Sequence, residues 1–91
     1  MTVTKQMLQD KIDYLNYVTN SPDTPYTRDD SGKLSANIGC FTLYQAYGEV
    51  GLHRMVNEGG GITDRHIYGL HSKKELYALL SAFINGVEFN A

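Results

Sequence analysis

Apolar positions recur at helical spacing over residues 4–20, where Leu8, Ile12, Leu15 and Thr19 form one stripe flanked by Met7, Tyr14 and Val18. Gln9, Asp13 and Asn16 fall on the other side, so the pattern predicts an amphipathic helix with those side chains in solvent. Thr2 or Thr4 can cap its start, because a hydroxyl there accepts a hydrogen bond from an otherwise unpaired first-turn amide. The run Asn20-Ser21-Pro22-Asp23-Thr24-Pro25 then stops it, since proline lacks the amide and clashes with the preceding turn.

A second helix is signalled near the other end. In Ser72-Lys73-Lys74-Glu75 the hydroxyl can accept from the Glu75 amide while the carboxylate reaches back to the Ser72 amide, forming a capping box. Leu76, Leu79, Leu80, Phe83, Ile84 and Val87 follow at helical spacing, and Gly86 is placed to end the helix in the left-handed conformation.

Between the helices the period changes to two. Asp29-Asp30-Ser31-Gly32 reads as a hairpin turn joining strands at 26–28 and 33–38. Phe41, Leu43 and Gln45 alternate with Thr42 and Tyr44, and Val50, Leu52, Arg54 and Val56 alternate with Gly51, His53 and Met55. A helix through Leu43, Ala46, Tyr47 and Val50 is opposed by Gly48 and Gly51, each of which would cost it about 1 kcal/mol. Strands are therefore expected, with Gly48 at a bend or bulge. Asn57-Glu58-Gly59-Gly60-Gly61 ends the last strand, and 62–71 reads as a connecting loop. The order α-β-β-β-α predicts an α+β fold, a two-layer sandwich whose short antiparallel sheet packs one face against both helices.

Length and composition narrow the setting. Ninety-one residues make one domain, 1–91, small enough that self-association as a homo-oligomer would help its stability. A net charge of −2 favours neither an acidic nor a basic partner. Cys40 is the single cysteine, which excludes an intrachain disulfide. The first residues, MTVTKQMLQDK, contain no apolar run of signal-peptide type, and no stretch is long and apolar enough for a membrane span, so a cytoplasmic location is expected.

Candidate chemistry is sparse. Consecutive glycines at Gly59, Gly60 and Gly61 can bring backbone amides close to an anion, although the Gly-Lys-Ser/Thr ending of a P-loop is absent. The plain alternative is a strand-exit loop requiring positive φ. Arg54 sits in an apolar alternating run, so it either pairs with Glu58, Glu49 or Asp64 or grips a ligand beside the glycines with Asn57 and Tyr47. His53, His66 and His71 lack metal-pair spacing, and no local signature joins Cys40 or a serine to a base. No metal or cofactor is therefore expected. Lys73 and Lys74 oppose the helix dipole at a helix start, where they either contact phosphate or stay solvated.

Two resemblances have residues behind them. Ala36-Asn37-Ile38-Gly39, Leu43-Tyr44-Gln45-Ala46-Tyr47-Gly48, Leu52-His53-Arg54-Met55-Val56-Asn57-Glu58-Gly59-Gly60-Gly61 and Ser72-Lys73-Lys74-Glu75-Leu76-Tyr77 resemble a family of small bacteriophage and prophage proteins. That likeness spans most of the chain; it implies a phage-type accessory role in a host cytoplasm and carries no site residues with it. The α-β-β-β-α order with Ser-Lys-Lys-Glu at the second helix is also similar to a double-stranded RNA-binding domain, where lysines at this point grip phosphates. Lys73 and Lys74 match that position; Tyr77 stands where a further basic residue is usual, and the acidic balance departs from a phosphate-binding surface.

The expectation is a non-enzymatic accessory protein that binds a host protein or a small anionic, nucleotide-like ligand. The ligand residues expected are Arg54, Asn57 and the Gly59, Gly60 and Gly61 amides, with Tyr47 stacking. Nucleic-acid binding through Lys73, Lys74 and Lys33 is the alternative, and a small enzyme using Cys40, His53 or His66 comes third.

Overall fold

A computed structural model describes residues 2–90. Helix α1, Lys5–Val18, starts at Thr4, whose Oγ1 accepts from the Met7 amide at 3.1 Å while the Met7 sulfur accepts from the Thr4 amide at 3.5 Å. Both halves of a capping box are thus present where the sequence offered no Glu or Gln. Helix α2, Lys73–Phe89, has the expected Ser72 cap, its hydroxyl accepting from the Glu75 amide at 3.2 Å. The reciprocal half differs from expectation, because the Glu75 carboxylate turns to the His71 ring instead. Gly86 does not end the helix. Val87, Glu88 and Phe89 continue it, Asn90 caps the end by donating to the Gly86 carbonyl, and Glu88 accepts the Tyr14 hydroxyl of α1 at 2.9 Å. That tie between the helices holds the last turn in place after the glycine.

The β-structure is richer than three strands. β1, Tyr26–Arg28, and β2, Leu34–Ala36, form an antiparallel pair closed by Asp29, whose Oδ1 accepts from the Ser31 amide and hydroxyl and from the Lys33 amide at 2.7–2.9 Å. These bonds stabilise the carboxylate and lower the Asp29 pKa. A second antiparallel sheet has the order β3-β4-β5, from Phe41–Ala46, Glu49–Met55 and Ile62–Thr63. Tyr47 and Gly48, at φ 53° and 76°, form the two-residue turn between β3 and β4, so Gly48 sits in a tight reversal, not a bulge. The stretch expected to be only a loop supplies β5 at its start and, at its end, His71, which exchanges two backbone hydrogen bonds with Val50. The turn at 57–61 reverses the chain tightly enough to permit that pairing. The class is α+β, with both helices on one face of the larger sheet.

The main core joins Leu8, Ile12 and Leu15 of α1 to Leu76, Leu80 and Ile84 of α2 over Phe41, Val50 and Leu52 of the sheet. Burying each Leu or Ile contributes about 1.5–3 kcal/mol, which makes this layer the chief source of stability. On the opposite face Met55 packs with Ala36 and Cys40 under the β1–β2 hairpin. Asn16 corrects the sequence reading. Instead of facing solvent it is 2% exposed, donates to the Phe41 carbonyl at 3.0 Å and accepts from the Phe41 amide at 2.8 Å. Its amide group thereby acts as a short extra strand on the outer edge of β3 and satisfies two backbone groups at once. Gly51 is required for another reason: a Cβ there would lie 2.7 Å from the Gly69 carbonyl oxygen, where the 64–71 segment crosses the sheet. No helix among the described residues is long and apolar enough to cross a membrane.

Candidate functional site

Arg54 and Phe41 are cross-strand partners in β4 and β3, so their side chains share the helix-facing side of the sheet. The guanidinium lies over the Phe41 ring, 4.5 Å from its centroid, and Nε donates to the Gly39 carbonyl at 2.9 Å. Gly39 has φ 94°, a conformation that turns the chain between β2 and β3 and aims its carbonyl at Arg54. Among the described residues no carboxylate lies within ion-pairing distance of Arg54. Glu49, Glu58 and Asp64, the acids considered as partners, form no ion pair with Arg54, and the ion pair found among the described residues is between His71 and Glu75. The π-face and the carbonyl replace the expected carboxylate as the groups that compensate the partly buried charge. Among the described residues both Nη groups of Arg54 lack hydrogen-bond partners.

Those Nη groups face a groove of about 420 Å³. Arg54, Arg65, His66 and Thr63 are its polar lining, and Ile38, Met55 and Val56 its apolar lining. Among the described residues no acidic side chain lines it, although the chain as a whole carries a net charge of −2. Asp64 is adjacent in sequence, but its carboxylate accepts from the Gly69 amide at 3.0 Å. His66 packs edge-on to Phe41 and tilted against Phe83, with ring centroids 5.2 and 5.7 Å away. Desolvation, then Arg54 and Arg65, push its pKa below the ordinary histidine value. The arrangement offers a fixed guanidinium, a second exposed one and an imidazole able to take up a proton when a negative charge arrives.

The other residues expected at an anion site occupy different positions. Tyr47 is 95% exposed at the far end of the β3–β4 hairpin, so about six residues of strand, roughly 20 Å, separate it from Arg54. Asn57 and the glycines form the β4–β5 turn, adjoining the groove through Val56 and Thr63. Two of the glycine amides are engaged there: Gly61 donates to Asn57 Oδ1 at 2.9 Å and Gly60 to the Asn57 carbonyl at 3.3 Å. Of the three glycines only Gly60 has positive φ, 94°, and a Cβ on it would lie 3.4 Å from the Tyr26 hydroxyl oxygen. Lys73 and Lys74 are exposed in the first turn of α2, whereas Lys33 lies in the β1–β2 turn, so the residues of the nucleic-acid alternative divide between two elements.

The nucleophile and base candidates each have partners of their own. Cys40 is buried, and burial pushes its thiol pKa up, which disfavours the reactive thiolate. His53 stacks on Tyr44 at 4.1 Å, and burial lowers its pKa. His71 binds Glu75 and the Tyr68 carbonyl. Among the described residues no group of three or more His, Cys, Asp or Glu is placed to hold a metal ion. Sequence reasoning found Arg54 and missed Arg65, His66 and Thr63 as its companions. Their signal was weak, because β5 is only two residues long and carries no alternation.

No family model, curated protein or solved structure matches the chain.

Proposed function

We propose that the protein is a non-enzymatic binder of a small anionic ligand, held in the groove at Arg54. One observation carries this reading: a partly buried guanidinium is held by Gly39 and Phe41, yet it lines a groove that no acidic side chain lines among the described residues, and its Nη donors have no partner there. Arginine suits the task because its planar fork matches carboxylate and phosphate oxygens and is always charged. Fixing Nε in advance reduces the conformational entropy lost on binding. The resemblance to small phage proteins supplies the context, in which the ligand is a molecule of the host.

Calorimetric titration with inorganic phosphate and sulfate at low ionic strength tests the proposal. Millimolar or tighter binding is expected, weakened at least about tenfold by Arg54→Ala and by Arg65→Ala. Undiminished binding in the double variant would move the site elsewhere. Loss of binding only on replacing Lys73 and Lys74 would favour phosphate contacts at α2.

A further inference from the structure

The groove is lined by two chemically different sets of residues, and a simple inorganic anion would use only one. Ile38 and Val56, 55% and 47% exposed, line the same groove as Arg54 and Arg65. Ile38 belongs to the β2–β3 connection beside Gly39, while Val56 directly follows β4, so two separate segments present apolar surface at one mouth. Unpaired apolar side chains rimmed by charge mark a surface that a ligand can cover with gain, because covering them removes apolar area from water. The volume of about 420 Å³ is within the range of small-molecule pockets and exceeds what a lone phosphate fills.

Charge narrows the head group. Two guanidinium groups balance a dianion, whereas a carboxylate would leave one cation uncompensated in the same groove. A phosphomonoester carries between one and a half and two negative charges near neutral pH and presents three acceptor oxygens. That number suits the Nη donors of Arg54, the side chain of Arg65 and the imidazole of His66. The Thr63 hydroxyl accepts from the Arg65 amide at 3.3 Å, which leaves its O–H able to donate a fourth contact to the phosphate or its ester oxygen.

From this juxtaposition we infer that the ligand is a phosphomonoester carrying an apolar or aromatic body, with phosphate on Arg54 and Arg65 and the body against Ile38 and Val56. The inference rests on the anion-binding reading above and adds the ligand's class and orientation.

The test is calorimetry of the full chain at constant ionic strength with phenyl phosphate, inorganic phosphate, benzoate and adenosine 5′-monophosphate. Phenyl phosphate is expected to bind about tenfold or more tighter than either inorganic phosphate or benzoate. In the Ile38→Ser, Val56→Ser double variant the advantage over inorganic phosphate should fall to about twofold or less, with inorganic phosphate itself little changed. A far-ultraviolet spectrum and thermal midpoint for that variant establish that it is folded. Adenosine monophosphate matching or exceeding phenyl phosphate would support the inference and identify a nucleotide source; weaker binding would support a smaller aryl or alkyl ester. Equal affinity for phenyl and inorganic phosphate would overturn the inference while leaving anion binding intact. Benzoate equalling phenyl phosphate would overturn the dianion assignment. Binding of none of the four would overturn both readings.

Discussion

Two neighbouring regions both carry features associated with anion binding, yet they use their hydrogen-bond donors in opposite ways. In the 57–61 turn the flexible backbone folds back on itself, and the Gly60 and Gly61 amides are engaged by Asn57. At the groove beside it, one donor of Arg54 is engaged by Gly39 and the remaining ones are free among the described residues. The turn therefore uses donors within the fold, whereas the groove keeps donors that the proposed anion would take up.

Substitutions that break this division should separate stability from affinity. The largest effect is expected where engaged donors are buried. Asn16→Leu would strand the Phe41 amide and carbonyl at about 1–3 kcal/mol for each unsatisfied group, read as a lower denaturant midpoint with an unchanged slope. Gly51→Ala should cost about 1–3 kcal/mol by the same measurement, since its Cβ would meet the backbone oxygen of Gly69 and not a side chain able to move.

In the turn, Asn57→Ala should lower stability by about 1 kcal/mol and leave phosphate affinity within about twofold. The converse applies to Arg54→Lys, which keeps the charge but loses the fork and the bond to Gly39. Its phosphate affinity should drop about fivefold while stability changes by about 1 kcal/mol or less.

Protonation sharpens the contrast further. The pKa of His66 is lowered, so the stability linked to its neutral form is present above the unfolded value of 6.5 and is lost as pH falls through the folded value. A bound dianion opposes that shift. Sulfate, whose charge is constant in this range, should therefore bind about threefold more tightly near pH 5.5 than near pH 7.5, and His66→Gln should remove the dependence. His71 has the opposite sign. Its hydrogen bond to Glu75 raises its pKa, so the stabilisation is fully present below 6.5 and is lost as pH rises through the folded value. Because the Glu75 side chain is largely solvent-exposed, the increment removed by Glu75→Gln should be only about 0.3 kcal/mol, the smallest effect of the series.

The fold was legible where local periodicity and tertiary packing agree. The stripes Leu8–Ile12–Leu15 and Leu76–Leu80–Ile84 form the buried faces of α1 and α2, and Asp29 closes the β1–β2 hairpin as expected. What escaped depends on contacts distant in sequence. Asn16 is polar on a helix and reads as exposed; its burial requires knowing that the Phe41 edge lies across from it. β5 and the His71 bridge exist because β4 offers them a partner, not because two or three residues have strand character of their own. The same holds for the groove. Arg54 stood out against an apolar run, but Arg65, His66 and Ile38 join it only through the β4–β5 turn and the Gly39 reversal.

The most direct test of the account is a titration of isotope-labelled protein with inorganic phosphate, followed by backbone and arginine Nε–H correlation spectra. The account predicts saturable shifts at the Nε–H of Arg54 and at the amides of Gly39, Thr63, Arg65 and His66, with Gly60, Gly61, Lys73 and Lys74 nearly still. Shifts centred on the glycine turn or on the start of α2, with Arg54 unmoved, would contradict it.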